Sequence, residues 1–232
     1  MKITLATLFA ALLASPAAAA PTCPADMSGA AYLCRAVDAA DHQKYVEAAD
    51  AFEKAAAASP AGEPLTQRML AGAGNMWIAA GQPGKAALAL DRALAGNGLQ
   101  AEQRGLALLD RARAAEAQND LKAARRFFTE AAPTVDRDPF AWYFSAALAV
   151  READLPGAKM AIGRALSLAP TMPEALFEAG YIANEEGDTA KARDYWNRAM
   201  NADPGGKIGA SAKAALGALG APLTVPPNGA KP

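Results

Sequence analysis

The segment PEALFEAGYIANEEGDTAKARDYWNRAMNADP, residues 173–204, decides the fold because its pattern recurs earlier in the chain. When the sequence is shifted by 34 residues, the preceding region shows the same order of large, small and turn-forming residues. Self-similarity at a fixed period of this length is typical of repeat proteins. The matching pairs are Pro139 with Pro173, Trp142 with Leu176, Ala146 with Gly180, Asp154 with Asp188, Ala158 with Ala192, Ile162 with Trp196, Ala165 with Ala199, and Pro170 with Pro204.

Three more units with this pattern lie upstream. A second backward shift of 34 reaches Leu108, Ala112, Asp120, Ala124, Phe128 and Ala131, although Asp136 replaces the closing proline. The two units before it carry Leu70, Gly74, Trp77, Gly81, Ala86, Leu90 and Ala93, and Tyr32, Ala36, Ala39, Ala48, Phe52, Ala55 and Pro60. Each of these two is followed by a step of 38, and the extra residues fit Gly- and Pro-bearing stretches at 61–64 and 96–98.

The spacing within a unit predicts two antiparallel helices. The chain is rich in Ala, Leu, Glu, Lys and Arg, which lose little freedom in a helix. Small residues should let the two helix axes approach to the lower end of about 8–10 Å. They are Ala36, Gly74, Ala112, Ala146 and Gly180 in the first helices, and Ala48, Ala86, Ala124, Ala158 and Ala192 in the second. We expect the large residues to fill the gap to the neighbouring unit; these are Phe52, Leu90, Phe128, Ile162 and Trp196.

Polar and proline positions indicate where the helices begin and end. Asp120, Asp154 and Asp188 recur where the second helix should begin, which suits a carboxylate that accepts backbone N–H groups. Asp138-Pro139 similarly suits a capped helix start with proline in the first turn.

The pattern resembles the tetratricopeptide repeat (TPR) family, most closely in residues 173–204. The resemblance implies an all-α, right-handed α-solenoid of antiparallel helix pairs. It covers five units, at about residues 29–62, 67–100, 105–138, 139–172 and 173–206. A solenoid needs a terminal cap, because its last unit otherwise exposes an apolar side to water. The apolar spacing of residues 207–219 predicts a capping helix there, and the proline-rich residues 220–232 predict a disordered tail.

The first residues are typical of a secretory signal peptide. Lys2 precedes an apolar core at residues 3–14, which is shorter than the roughly 20 residues that span a bilayer. A small-residue run follows, and we expect cleavage after Ala19, which leaves residues 20–28 as a lead-in segment. A retained membrane anchor is the competing interpretation. Cleavage predicts a periplasmic or secreted protein without an integral membrane segment.

The expected export determines how the two cysteines are interpreted. An oxidising compartment permits a disulfide between Cys23 in the lead-in and Cys34 in the first helix. The alternative is a buried free Cys34 with Cys23 in a disordered segment. The spacing of the cysteines is not the CxxC of redox catalysts.

The sequence predicts no catalytic centre, metal site or cofactor. His42 is the only histidine, and the first unit places it in the turn between helices. One histidine and two cysteines make a zinc site implausible. The 23 basic and 24 acidic residues are mixed along the chain, which does not favour nucleic-acid binding.

The resemblance implies that the first helices line a concave groove for a protein or peptide. Its geometry assigns to the groove Leu33, Val37 and Asp41; Arg68, Asn75 and Ile78; Leu109, Arg113 and Glu116; Phe140, Tyr143 and Arg151; and Phe177, Tyr181 and Asn184. Aromatic and arginine side chains are enriched at interface hot spots, and arginines could pair with an acidic peptide. The partner-binding set is therefore Arg68, Asn75, Leu109, Arg113, Tyr143, Arg151, Phe177, Tyr181 and Asn184. The alternative is that the aromatics pack between helices and the arginines are solvated.

Two classes of function are compatible with these residues. The first is a non-catalytic periplasmic adaptor that binds a peptide or protein segment in the groove. The alternative is a cell-envelope enzyme, or a subunit of one, that acts on peptidoglycan or polysaccharide. Self-association through the end helices is a third possibility.

Overall fold

The computed structural model describes residues 23–60 and 63–219. The expected signal peptide, the start of the lead-in segment and the expected C-terminal tail lie outside these residues. The described part contains eleven α-helices and no β-strand. They are α1 (Gly29–Asp41), α2 (Tyr45–Ala58), α3 (Leu65–Ala79), α4 (Pro83–Ala95), α5 (Ala101–Ala117), α6 (Leu121–Ala131), α7 (Pro139–Arg151), α8 (Leu155–Leu168), α9 (Pro173–Glu185), α10 (Thr189–Ala202) and α11 (Lys207–Gly217).

The helices pack as five successive antiparallel pairs, from α1 with α2 to α9 with α10, and each pair packs on the next. This confirms the predicted all-α solenoid. The last helix, α11, packs on α10 and α9 and buries Ala212 and Ala215 in a cluster with Leu176 and Trp196. The apolar side of the last pair is thereby covered, as a solenoid end requires.

Small residues set the distance between the helices of a pair. All ten predicted small positions are buried. A Cβ atom added at Gly180 would lie 2.4 Å from Nε1 of Trp196, and one at Gly74 would lie 2.4 Å from Cγ of Leu90. The large residues were expected only in the gap to the next unit. At these two positions they also fill the space over the small residue of their own unit, because the paired helices approach so closely there.

The turns between paired helices share one backbone feature, a residue with positive φ. One residue with positive φ occurs in each turn: Gln43, Gly81, Asn119, Ala153 and Gly187. Their spacing of 38, 38, 34 and 34 residues follows the two step lengths of the sequence. Each helical hairpin therefore closes with the same local geometry.

Aspartates begin the second helices as predicted. Asp120, Asp154 and Asp188 each accept a hydrogen bond from the backbone N–H three residues later, at 3.0–3.1 Å. Asp138 accepts one from the N–H of Phe140 at 2.8 Å. The proposed capping role of these four carboxylates is confirmed.

The longer steps change where two first helices begin. Helix α3 begins at Leu65 and α5 at Ala101, which are earlier than residues 67 and 105, where the units were expected to begin. At the start of α5, the backbone N–H of Gln100 donates to the side chain of Gln103 at 3.1 Å. The extra residues thus extend the first helices as well as the connecting loops.

A disulfide joins the lead-in segment to α1. Cys23 and Cys34 are bonded, with their Cα atoms 5.6 Å apart. The guanidinium of Arg35 also donates to the backbone carbonyls of Pro24 and Asp26, at 2.7 and 3.0 Å. These links attach the lead-in to the first unit.

Among the helices of the described residues, none combines the length and the apolar character that a membrane crossing requires.

Candidate functional site

The first helices lie on the inner side of the curved stack. Helix α3 contacts α5, α5 contacts α7, and α7 contacts α9, whereas successive second helices have at most marginal contact. Elements on the inner side of a curve are closer together than those on the outer side. We call the surface formed by α1, α3, α5, α7 and α9 the inner face, and such concave faces are the binding surfaces of solenoid proteins.

Three of the predicted aromatic residues keep part of their surface accessible. Tyr143 on α7 and Phe177 and Tyr181 on α9 are half-buried. Other large residues of the same helices are fully covered; Phe144 is 7 %, Leu176 1 % and Ile182 2 % exposed. Tyr143 and Phe177 pack against buried core clusters and expose only part of their surface, as the alternative interpretation of these aromatics expected in part.

Tyr143 has a second aromatic ring beside it. Its ring centroid lies 5.6 Å from that of Phe140 on the same helix. Burial raises the pKa of Tyr143 to about 12, and the charges of Glu178, Glu174 and Glu116 add to the increase. The Tyr143 hydroxyl therefore stays protonated at neutral pH and can donate a hydrogen bond.

In the middle of the inner face, the predicted polar residues are already paired. The carboxylate of Asp110 accepts one hydrogen bond from the Arg113 guanidinium at 2.7 Å and another from the Asn75 amide at 2.9 Å. The guanidinium of Arg113 also lies 5.1 Å from the ring centroid of Phe140. This network connects α3, α5 and α7, so Arg113 and Asn75 hold the inner face together.

Arg151 at the end of α7 is paired in the same way. Its guanidinium binds the Glu116 carboxylate, donates to the Glu116 carbonyl at 3.1 Å, and donates to the Asn119 side chain at 2.6 Å. These bonds connect α7 to the end of α5. The sequence suggested that Arg151 pairs with a partner's carboxylate, but in the structure it is neutralised within the chain.

The remaining predicted residues differ in accessibility. Leu109 is only 4 % exposed and packs in the core cluster of α5, α6 and α7, so its side chain cannot contact a partner. Arg68 is exposed and forms no ion pair within residues 23–60 and 63–219, and Asn184 is half-buried. Of the further groove positions, Val37 and Asp41 are exposed, and Leu33, Ile78 and Phe140 are half-buried.

Glu178 on α9 was not predicted from the sequence. Its side chain is half-buried, and its carboxylate accepts no hydrogen bond and forms no ion pair within the described parts of the chain. Burial raises the pKa of Glu178 from its ordinary 4.5 to about 7. A signal was present in the sequence, because Glu178 lies one helical turn from Tyr181 and from Glu174.

Asp110 was missed for a different reason. Its carboxylate lies one turn before Arg113, and the spacing alone gives only an ordinary helical ion pair. The bond to Asn75 of the preceding unit depends on how α3 and α5 pack together.

A metal site would need several ligand side chains close together among the described residues. No group of three or more His, Cys, Asp or Glu side chains there could hold a metal ion. His42 is exposed at the end of α1, as expected for a turn residue, and its Nδ1 lies 2.7 Å from the Asp38 carbonyl. The geometry of the inner face suits recognition of another molecule.

Comparison with known proteins gives similarity of structure only. No protein-family model matches the chain, and no curated protein sequence matches it. Among solved structures, YrrB, described as a TPR protein with an unusual peptide-binding site, is similar with a TM-score of 0.57 at 16 % identity, over 81 % of this chain and 93 % of YrrB.

Two further solved structures, PilW and PilF, are also similar. PilW, described as a widely conserved type IV pilus biogenesis factor, aligns with a TM-score of 0.65 at 17 % identity, over 79 % of this chain and 81 % of PilW. PilF of Pseudomonas aeruginosa aligns with a TM-score of 0.64 at 17 % identity, over 81 % of this chain and 82 % of PilF. The paired helices, the repeating turns and these similarities together show that the chain has the tetratricopeptide-repeat fold.

Proposed function

We propose that this protein is a non-catalytic adaptor that binds a peptide or protein segment along its inner face. The observation that carries the proposal is the row of half-buried aromatic side chains, Tyr143, Phe177 and Tyr181, on α7 and α9. Tyr143 and Phe177 pack on clusters of fully buried residues and keep part of their own surface accessible. Partly accessible aromatic rings on a concave surface are typical anchors for a partner.

The similar structures support this proposal. YrrB is described as having a peptide-binding site, and PilW as a pilus biogenesis factor. At this level of identity the likeness extends to the fold alone, so the location of the site in this chain rests on its own residues.

The proposal includes export to the periplasm. Residues 1–19 have the pattern of a secretory signal peptide. The Cys23–Cys34 disulfide supports the same compartment, because such bonds persist mainly in oxidising environments. Fractionation of cells that express the full chain tests this part, and a protein that stays in the cytoplasm with its signal intact would contradict it.

Site-specific photo-crosslinking tests the binding surface. A photoreactive phenylalanine analogue at Tyr181 on the inner face should give a discrete crosslinked product in intact cells. The same analogue at Met160, which is 72 % exposed on the second helix α8, is the matched control. Equal crosslinking at the two positions, or products only at Met160, would contradict the assigned surface.

Substitution of the same two residues then measures the contribution to binding. With the crosslinked partner purified, Tyr181→Ala should weaken binding by about tenfold or more, because a partly buried aromatic anchor is lost. Met160→Ala should leave affinity unchanged. Turnover of peptidoglycan or polysaccharide by the purified protein would refute the non-catalytic assignment in favour of an envelope enzyme.

A further inference from the structure

The charges of the inner face are distributed unevenly along the stack. Helix α9 carries three glutamates, Glu174, Glu178 and Glu185, and no basic residue. The inner-face arginines on the neighbouring first helices are held by acidic groups of their own, Arg113 by Asp110 and Arg151 by Glu116. Neither arginine is therefore left to neutralise α9.

Glu178 occupies the centre of this acidic stretch. Burial raises the pKa of Tyr143 on α7 and that of Tyr181 on α9. The charge of Glu178 adds to the increase at Tyr143, and the charges of Glu185 and then Glu178 add to the increase at Tyr181. Glu178 precedes Tyr181 by three residues, which places the two side chains on one side of α9. Helix α9 packs against α7, which carries Tyr143. Glu178 as a whole is only half-buried, so part of the residue remains accessible.

An unpaired, partly desolvated carboxylate is unfavourable in the folded protein. Asp110, which lies in a similar position two units earlier, avoids this cost with two hydrogen-bond donors. Glu178 has no such donor within residues 23–60 and 63–219, and burial raises its pKa to about 7. A cation supplied from outside would stabilise its ionised form, and two aromatic rings beside it would add cation–π attraction.

We propose that the inner face between α7 and α9 binds a Lys or Arg side chain of the partner segment, with Glu178 as its ion-pair partner and Tyr143 and Tyr181 beside it. This inference rests on the proposed adaptor function and specifies its partner as a basic segment. The sequence led us to expect that the arginines of this face could pair with an acidic peptide, whereas the partner proposed here is basic. Between α7 and α9 the charge without a partner among the described residues is negative, whereas Arg68, likewise without an ion pair among those residues, lies on α3, nearer the other end of the inner face.

A metal ion fits this position less well than a basic side chain. The described residues contain no group of three or more potential ligands around Glu178 or elsewhere. A single carboxylate flanked by phenol rings suits an ammonium or guanidinium group, whose apolar stem can pack on the rings.

The test uses fluorescein-labelled octapeptides with blocked ends, in which one central position is Lys, Arg, norleucine or Glu and the other positions are randomised. Binding to the full mature chain is measured by fluorescence polarisation at physiological salt. The Lys and Arg pools should bind at least about tenfold more tightly than the norleucine pool, since a charge-assisted pair forms on desolvation. The Glu pool should bind weakest.

The decisive variant is Glu178→Gln, with Glu102→Gln as its control. Glu102 is exposed in the first turn of α5, so its substitution removes a carboxylate away from α9. Glu178→Gln should remove the preference for Lys and Arg over norleucine, whereas Glu102→Gln should keep it. The preserved size of glutamine and an unchanged circular dichroism spectrum guard against a folding artefact.

Three other outcomes would overturn the inference. Basic pools that bind both variants equally would indicate a non-specific charge effect. Preferred binding of the norleucine or Glu pools, or no binding of any pool, would count against a basic partner as well. The adaptor function is judged separately by crosslinking at Tyr181, so it can stand when the basic partner does not.

Discussion

The middle and the C-terminal part of the inner face use carboxylates in opposite ways. Asp110 on α5 is held by Asn75 of the unit before it and by Arg113 on its own helix. Glu178 on α9 has no donor among the described residues, and Tyr181 follows it by three residues on the same helix. The first arrangement joins successive units, and the second leaves a charge available for a partner.

The difference shows that residue type and face do not by themselves identify a binding residue. Arg113, Arg151 and Asn75 have the chemistry of a peptide-binding site and lie on the correct helices, yet their donors are occupied within the chain. Glu178 was not predicted from the sequence, yet its carboxylate lacks a hydrogen-bond donor among the described residues. Pairing decides which charges remain available.

The largest effect should come from disturbing the packing that places α9. Gly180→Leu should lower the free energy of unfolding by about 3 kcal/mol, because the added side chain overlaps Trp196 where even a Cβ would lie 2.4 Å from its Nε1. Thermal or urea unfolding measures the change. The variant should also lose the preference for basic peptides, because α9 shifts relative to α7.

Gly163→Ala is the control for this substitution. Gly163 lies within α8, is exposed, and has no atom within 4 Å of an added Cβ. Alanine should raise the free energy of unfolding by about 0.5–1 kcal/mol through helix propensity alone. If both glycine substitutions have the same sign, the close contact between α9 and α10 has been assigned to the wrong position.

Breaking the paired network should have the next largest effect. Asp110→Ala removes the hydrogen-bond partner of both Asn75 and Arg113, and the Arg113 side chain is only 30 % exposed. The substitution should lower the free energy of unfolding by about 2 kcal/mol. Asp91 is the ion-pair partner of Arg111, and its side chain is 52 % exposed. Asp91→Ala should therefore lower the free energy of unfolding by less than about 1 kcal/mol. Equal costs measured by urea unfolding would show that the network does not join the units.

Glu178→Gln should have a smaller effect of the opposite sign. The raised pKa means that the folded protein holds the proton of Glu178 more tightly than the unfolded chain does, so stability falls as pH rises from about 4.5 to 7. At pH 8 the glutamine variant should be more stable than the original protein by about 1 kcal/mol or more, since one pKa unit corresponds to about 1.4 kcal/mol, and the difference should shrink as the pH falls to 4.5.

The free energy of unfolding of the original protein and of Glu178→Gln is measured from pH 4.5 to 8. The difference between them isolates the contribution of Glu178, because the other carboxylates are common to both proteins. Glu102→Gln should show no comparable dependence on pH. A glutamine variant that is less stable at pH 8 would mean that the Glu178 carboxylate has a favourable partner in the folded protein.

The repeat explains why much of the fold could be predicted. The matching of Ala146 with Gly180 predicted the close helix contact, and that of Asp154 with Asp188 predicted the start of the second helix in the last three units. Both features depend on residues nearby in the sequence, and both are present in the structure. The start of α5 at Ala101 was missed because the longer step has no counterpart in the last units.

The candidate site could be predicted only in part. The aromatic residues of α7 and α9 were placed on the inner face by the repeat, and they are partly accessible there. Leu109 was placed on the same face but is 4 % exposed, because α5, α6 and α7 enclose it.

The sequence by itself determined the helices, their pairing and the order of the units, because these follow from short-range spacing repeated along the chain. The tertiary structure decided which polar groups are paired, since Asn75 meets Asp110 and Arg151 meets Glu116 across a distance of 35 residues. Such bonds depend on the distance and rotation between neighbouring units, which no local pattern records. For the same reason, only the packed stack shows that Glu178 is a desolvated carboxylate without a donor among the described residues.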